Sequence, residues 1–146
     1  MNIKVSANLT NYKGRKYTEE QIKRALVDLL DEKSTEVLAK IRMLMRAPKT
    51  GKWYRTSSGS PYQASAPGEA PAVRDGKLIN SLRRRKSNEG LTIKITAEVK
   101  HGKWMEYGTT KIAKRPFMAP AMVGVRNLTA ADGRNAINRA VKARNL

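Results

Sequence analysis

The sequence contains no cysteine, one histidine and one phenylalanine among its 146 residues. The missing thiols exclude disulfides and thiolate metal sites, and the single His101 cannot form a multi-histidine metal site within one chain. Aromatic residues make up only 5% of the chain, so Leu, Ile, Val, Ala and Met must supply most of a modest core. This length predicts one domain, residues 1–146, around that core.

Long apolar stretches and acidic residues are also scarce. Residues 1–6 hold no apolar run of the length that a signal peptide or a membrane span needs, which predicts a chain that is made in the cytoplasm. Against 30 Lys and Arg residues stand 12 Asp and Glu, which gives a net charge of +18. Such a charge favours a neutralising partner, and by charge alone nucleic acid, an acidic protein and an anionic membrane all qualify.

Signatures of catalysis are absent from the sequence as well. It has no Gly-x-Ser-x-Gly elbow, no Walker loop and no dinucleotide fingerprint. Two-metal chemistry needs carboxylates that converge, and here many are predicted to lie on the exposed side of one helix. These are Glu19, Glu20, Asp28, Asp31, Glu32 and Glu36. We therefore predict a protein without enzymatic activity, cofactor or metal.

A long helix is the clearest element in the sequence. Thr18 and Gln21 have the spacing of a capping box, apolar residues then recur every three or four positions, and Pro48 stops the pattern. At ~1.5 Å per residue the helix from Thr18 to Arg46 spans on the order of 40 Å. Either part of it leans on another subunit, or the whole helix packs on its own sheet. Alternation also predicts an earlier strand with Ile3, Val5, Ala7 and Leu9, and then a turn at residues 11–16.

Residues 48–76 are rich in Gly, Pro, Ser and Ala, which predicts a long loop or arm. Three large aromatic residues interrupt it, namely Trp53, Tyr54 and Tyr62, and a plain linker would not carry them. Two interpretations stay open. The arm is ordered, by itself or against a partner, or it is a surface loop whose aromatic side chains cover the edge of the core.

The second half of the chain predicts shorter elements. A helical turn is expected at Leu78 and Leu82, and an alternating strand over residues 91–99. We expect His101 and Gly102 to turn the chain. Trp104, Met105 and Tyr107 then predict an apolar cluster. Pro116 and Pro120 are typical of a helix start, with Phe117, Ala121, Met122 and Val125 on one face, and a separate final helix begins near Thr129.

A run of four basic residues, Arg83, Arg84, Arg85 and Lys86, separates these elements. As a patch for nucleic acid it would contact phosphates without reading sequence. The alternative is a solvated loop that leads into the strand. No helix-turn-helix, zinc finger or RNA-recognition signature accompanies it.

Four segments in order carry a likeness to a known family. They are residues 64–72 (ASAPGEAPA), residues 75–82 (DGKLINSL), residues 104–109 (WMEYGT) and residues 115–121 (RPFMAPA). In this order the chain resembles the neck, or tail-completion, proteins of tailed phages, small head–tail joining proteins often called minor tail proteins. Asp75-Gly76 stands where that family usually has Thr-Gly, and residues 103–105 replace a segment that commonly contains Tyr-Ala.

The resemblance implies an α+β domain in which a long N-terminal helix and a C-terminal helix pack on a small antiparallel β-sheet, with the Gly/Pro/Ser-rich arm at residues 48–76. It implies a structural protein of the virion, assembled in the host cytoplasm as a ring at the head–tail junction around the DNA channel. Six copies are expected first and twelve second. The implied neighbours are head-closure or connector, tail terminator and tail tube proteins, with double-stranded DNA in the lumen and no membrane.

Roles for individual residues follow from this reading. We expect Leu78, Leu82, Gly108, Pro116 and Phe117 to specify the fold. Gly108 should adopt a conformation that a side chain would strain, and Phe117 should be a buried anchor where the final helix crosses the sheet. The aromatic residues of the arm are the expected contacts between subunits, and the run Arg83–Lys86 is a candidate to face DNA.

A second class of function remains open. A basic, non-enzymatic nucleic-acid-binding protein would also explain the charge, without any ring. A partner of RNA in a toxin–antitoxin pair is a third and weaker possibility, because the sequence shows no His/Arg/Glu cluster of the kind that an RNA-cleaving toxin needs.

Overall fold

A long helix lying on a three-stranded sheet organises the chain. The computed structural model describes residues 2–7, 17–125 and 128–144. Its strands are β1 (Asn2–Ser6), β2 (Trp53–Arg55), β3 (Pro61–Gln63), β4 (Leu82–Ser87) and β5 (Thr92–Ala97). Its helices are α1 (Glu19–Arg46), α2 (Lys77–Asn80), α3 (Lys100–Tyr107), α4 (Met118–Ala121) and α5 (Ala130–Arg144). The predicted turn at residues 11–16, and Leu9 of the predicted first strand, lie outside the described residues.

The sheet has the order β1-β5-β4 and both pairings are antiparallel. Central strand β5 places Ile95 opposite Ile3 of β1 and Arg84 of β4. Its apolar residues Ile93 and Ile95 are fully buried and belong to the same core cluster as Val37 of α1. The α+β architecture of helices on a small antiparallel sheet is therefore confirmed.

Helix α1 begins as the sequence predicts. The Thr18 hydroxyl accepts a hydrogen bond from the Gln21 amide at 3.2 Å, and the Gln21 side chain accepts one from the Thr18 amide at 3.0 Å. This capping box satisfies two amides that the first turn leaves without helical partners. The helix ends at Arg46, just before Pro48, so both predicted ends are confirmed.

One face of α1 is buried along its whole length. Near its start, Ile22, Ala25 and Leu26 cluster with Ile137 of α5. Further along, its apolar residues pack on the sheet and on α4. Within the described residues the inner face is thus covered by the chain itself, by α5 near its start and by the sheet and α4 further along, and both interpretations of its length stay open. The outer face is exposed to solvent.

One local prediction was wrong. His101 and Gly102 do not turn the chain, because both lie inside α3. A Cβ on Gly102 would come within 3.1 Å of the Ala97 Cβ and 3.2 Å of the Leu78 Cδ1, so this glycine lets α3 approach the sheet. Of the expected apolar cluster, Met105 is half-buried and packs on the core, whereas Trp104 and Tyr107 are 47% and 66% exposed.

Two further predictions are corrected by the segment bounds. The run Arg83–Lys86 is not a loop, because it forms most of edge strand β4. The helix expected from Pro116 is only the four-residue α4, and Pro120 lies inside it rather than before it. A turn with Gly124 at a φ of +93° follows. The separate last helix is confirmed as α5, and Thr129 and Asp132 exchange hydrogen bonds at its start.

Candidate functional site: an aromatic-lined cleft

A buried carboxylate joins two of the segments that carry the family likeness. Glu106, near the end of α3, is buried and its side chain accepts three backbone hydrogen bonds. Phe117 and Met118 donate to Oε2 at 2.7 and 3.0 Å, and Ala119 donates to Oε1 at 2.8 Å. These amides begin α4, where helical partners are missing, so the carboxylate serves as their cap. Phe117, which they position, is 0% exposed, in agreement with the predicted burial.

Gly108 begins the turn that brings the chain back towards Glu106. Its φ is +74°, and a Cβ there would lie 2.9 Å from the Ile112 carbonyl oxygen. A side chain at Gly108 would therefore be strained, and the backbone packs too closely to accommodate one. Thr109 closes the next turn with a 2.8 Å bond from its amide to the Ile112 carbonyl. The turn brings the chain back to Pro116, which is half-buried, and to Phe117.

The arm is hydrogen-bonded to the segment that precedes Phe117. Arg115 donates from Nε to the Ser65 carbonyl at 3.2 Å, and the Gly68 amide donates to the Lys114 carbonyl at 3.0 Å. Glu69 accepts from the Thr50 hydroxyl at 2.6 Å and from the Ala66 amide at 2.8 Å. These bonds, that from Thr50 above all, hold the pKa of Glu69 below its ordinary value. Residues 48–76 thus contain strands β2 and β3 and are hydrogen-bonded to Lys114 and Arg115.

A cleft of about 540 Å³ opens where these segments meet. All four segments of the family likeness contribute to its wall, through Ala64, Ala72, Leu78, Trp104 and Arg115 among others. Leu78 is buried at its base, as is Leu82 in the adjoining core, so both predicted fold residues are core residues. Tyr62 and Trp104 supply its aromatic edges. We call this feature the cleft.

An exposed aromatic hairpin stands beside the cleft. Strands β2 and β3 pair Tyr54 with Tyr62, and the two rings stack with their centroids 5.9 Å apart. Trp53, next to Tyr54, is 67% exposed. Trp104 is exposed as well, so both tryptophans of the chain face solvent. Large aromatic side chains in such positions are typical of interaction surfaces.

The rim of the cleft is mostly basic. Arg74, Lys77 and Arg115 line it together with one carboxylate, Asp75. The Lys77 amide, which donates to Asp75 at 3.2 Å, and the Arg74 side chain keep the pKa of Asp75 below its ordinary value. An apolar floor with a cationic rim suits a partner that presents apolar and acidic groups.

The basic run of β4 does not form one continuous patch. Successive side chains of a strand point to opposite faces. Arg84 and Lys86 turn to α1 and contact Asp31 at 2.5 and 2.9 Å, whereas Arg83 and Arg85 contact Glu98 at 3.7 and 3.0 Å. Two carboxylates therefore partly neutralise four basic side chains. That these residues face DNA stays a prediction.

The described part of the chain holds neither a candidate metal site nor a candidate membrane span. Residues 2–7, 17–125 and 128–144 contain no group of three or more His, Cys, Asp or Glu residues that could hold a metal ion. Among the helices of these ranges, none is long and apolar enough to cross a membrane.

Comparisons of the chain with models of known protein families, with curated proteins and with solved structures found no match. The likeness to phage neck proteins therefore stays a prediction.

Sequence reasoning included Glu106 in the segment 104–109 of the family likeness but gave no role to its carboxylate, which caps α4. One signal was available, since Glu106 is the only acidic residue between Glu98 and Asp132 in a strongly basic stretch. A lone carboxylate there calls for a structural partner. The subunit contacts predicted for Trp53, Tyr54 and Tyr62 stay predictions, but the structure brings all three together on one hairpin.

Proposed function

We propose that this chain is a non-enzymatic structural protein of a tailed-phage virion, which assembles into a ring at the head–tail junction around the DNA channel. One observation carries the proposal. The four segments of the family likeness, separated in sequence, converge on one cleft that exposed aromatic side chains flank. A chain with only 5% aromatic residues places its two tryptophans on the surface, where they are best explained as contacts for a neighbouring subunit.

The charge supports the same function. A net charge of +18 opposes compact packing of copies unless something between them or inside them is negative. DNA passing through a ring supplies phosphates without any need for base recognition. A ring contact is head-to-tail, so the surface that meets the cleft belongs to a different part of the next copy.

Assembly state and location test the proposal. We expect particles of the source virus to contain the chain, by mass spectrometry, and electron microscopy of their head–tail junction to show it as a cyclic ring, with six copies favoured and twelve second. The chain's absence from purified particles would overturn the proposal.

Variants of the hairpin test the role of its aromatic residues. Trp53→Ser combined with Tyr54→Ser should prevent incorporation while leaving the domain folded, because both side chains are exposed and loss of the Tyr54–Tyr62 stack costs only about 0.5–1.5 kcal/mol. Val123→Ser is the matched control, since Val123 is 69% exposed but lies after α4, outside the hairpin. In a Trp104→Phe background, the fluorescence of Trp53 should change on assembly. An unchanged signal, with normal incorporation of the double variant, would rule out the hairpin as a contact.

A basic nucleic-acid-binding protein is the second candidate, and the hairpin gives it one specific observation. Exposed Trp53 and Tyr54 lie between Lys52 and Arg55, an arrangement in which bases can stack while cations contact phosphates. A salt titration of DNA binding separates the candidates. Tight binding by a monomer or dimer, with an affinity that falls steeply with salt, would favour this function over the ring.

A further inference from the structure

The outward face of α1 carries opposite charges on the two sides of Ala39. The side before Ala39, called the acidic half, exposes Asp28, Glu32 and Glu36, and the side after it, called the basic half, exposes Arg42 and Arg46. Among the described residues, neither arginine takes part in an ion pair, and Glu32 has only Lys33 at 4.0 Å. The acidic and basic halves meet at Ala39, which is exposed.

Ala39 lies at the centre of this face. Successive helical residues are ~100° apart, which places Ala39 about 180° from the midpoint of buried Val37 and Ile41. Glu32 and Arg46 stand about two turns before and after it, close to the same line along the helix. The small side chain of Ala39 allows a second helix to approach closely at this point.

Two shallow depressions flank Ala39 and both extend to it. One has a volume of about 550 Å³, and Asp28, Glu32 and Glu36 contribute to its acidic wall. The other has a volume of about 570 Å³ and a wall that includes Arg42, Met43 and Arg46. Their sizes are nearly equal, their charges are opposite, and Met43, which is 62% exposed, is an apolar side chain that could pack against a partner.

We propose that this face binds a second copy of the chain, with two α1 helices antiparallel and crossing at Ala39. A two-fold axis through that crossing places the acidic half of each helix opposite the basic half of the other. Glu32 of one copy then faces Arg46 of its partner, and symmetry repeats this pair. A self-complementary surface is what an isologous contact requires.

Overall repulsion does not prevent this contact at moderate salt. At 0.15 M ionic strength charges are screened beyond about 8 Å, so the opposed halves act at short range while the net charges of the two bodies are largely screened. A contact along one helix is smaller than a standard interface of roughly 800 Å² per partner. The dimer should therefore be weak, with a dissociation constant on the order of tens of micromolar.

This inference does not depend on the proposed function. A two-fold contact cannot close a ring by itself, because a ring needs head-to-tail contacts. The dimer would form in a solution of the purified chain, whatever the chain does in a particle.

Charge reversal with rescue gives the first test, with sedimentation equilibrium of the full chain as the readout. Glu32→Arg and Arg46→Glu should each weaken the dimer at least tenfold, because each puts two like-charged pairs across the axis. The double variant should return to within about threefold of the original, since it restores both pairs with their signs exchanged. Lys103→Glu, an exposed reversal on α3, is the control and should leave the dimer unchanged. Circular dichroism of each variant verifies that it is folded.

Crosslinking at the axis gives the second test. The chain has no cysteine, so an introduced cysteine can form a disulfide only with its counterpart in another copy. Ala39→Cys should form a disulfide-linked dimer under mild oxidation, because the axis brings this position next to itself. Ala131→Cys, exposed on α5, is the control and should crosslink far less. A chain that stays monomeric at high concentration overturns the proposal. Association that neither reversal weakens, or that the double variant fails to restore, overturns it as well.

Discussion

Replacing Glu106 by Gln gives the sharpest test of how the site is built. The substitution keeps the size and shape of the side chain but removes its charge, and it turns one of its two acceptors into a donor. In the original chain, Oε2 accepts hydrogen bonds from the Phe117 and Met118 amides, and Oε1 accepts one from the Ala119 amide. The amide oxygen of Gln can keep the first pair, but its NH₂ group must then face the Ala119 amide, donor against donor.

The loss can be estimated from these bonds. One charge-assisted hydrogen bond disappears, at about 1.5–3 kcal/mol, and the other two become neutral and weaker. We therefore expect Glu106→Gln to lower the free energy of unfolding by about 2–4 kcal/mol. Glu106→Ala leaves two buried amides, of Phe117 and Met118, without partners and should cost about 3–6 kcal/mol. A domain of this size has only about 5–15 kcal/mol in total, so the Gln variant is the one to measure.

The assay is urea unfolding followed by circular dichroism. An unchanged m-value would show that the variant exposes as much surface on unfolding as the original chain does. By thermal unfolding the Gln variant should melt roughly 4–16 °C lower, at about 2–4 °C per kcal/mol. Glu98→Gln is the control, because Glu98 is an exposed carboxylate whose pairs with Arg83 and Arg85 contribute at most about 1 kcal/mol. If the two Gln variants unfold at the same urea concentration, Glu106 is not the cap of α4.

Three further changes follow from the same structure. Phe117→Ala empties a fully buried site and should cost about 3–5 kcal/mol, so an unshifted denaturation midpoint would contradict the anchor role. Gly108→Ala should cost more than ~1 kcal/mol and more than Gly59→Ala, because both have positive φ but only Gly108 has backbone atoms within 4 Å of the new Cβ, and equal costs would refute the close packing. The Lys86 and Arg84 side chains lower the pKa of Asp31 below 3.8, so the stability that its charge contributes is present above pH 3.8 and is lost as pH falls through the lowered pKa. Asp31→Asn should therefore cost less than about 1 kcal/mol at neutral pH, with a gap to the original chain that closes in acid, and a gap constant with pH would argue against the ion pairs.

Elements whose signals are local could be predicted from the sequence. Helix α1 combines a capping box, a regular apolar rhythm and a proline stop, and each of these acts within a few residues. Strand β5 alternates because one face packs on α1 while the other is wet. In both cases the tertiary environment strengthens a preference that the local sequence already has.

Elements that depend on contacts between distant residues could not be predicted from the sequence. Gly102 is typical of a turn by its local preference, and only the approach of Ala97 and Leu78 explains why a glycine lies inside α3. Strand β4 carries four consecutive basic residues, and their pairing with Asp31 and Glu98 becomes visible only once α1 and β5 are in place. The bonds from Glu106 to the start of α4 are likewise set by the fold.

The proposed ring and the proposed α1 dimer differ in symmetry. A cyclic ring combined with a two-fold contact through α1 would give two rings back to back, that is, dihedral symmetry. A head–tail junction has a head on one side and a tail on the other, so its two faces cannot be equivalent. If the chain forms the proposed ring, the α1 contact must be released when that ring joins a particle, and the outward face of α1 then becomes available to a neighbouring protein. A weak dimer fits this requirement, because a contact with a micromolar dissociation constant is readily displaced by a larger interface.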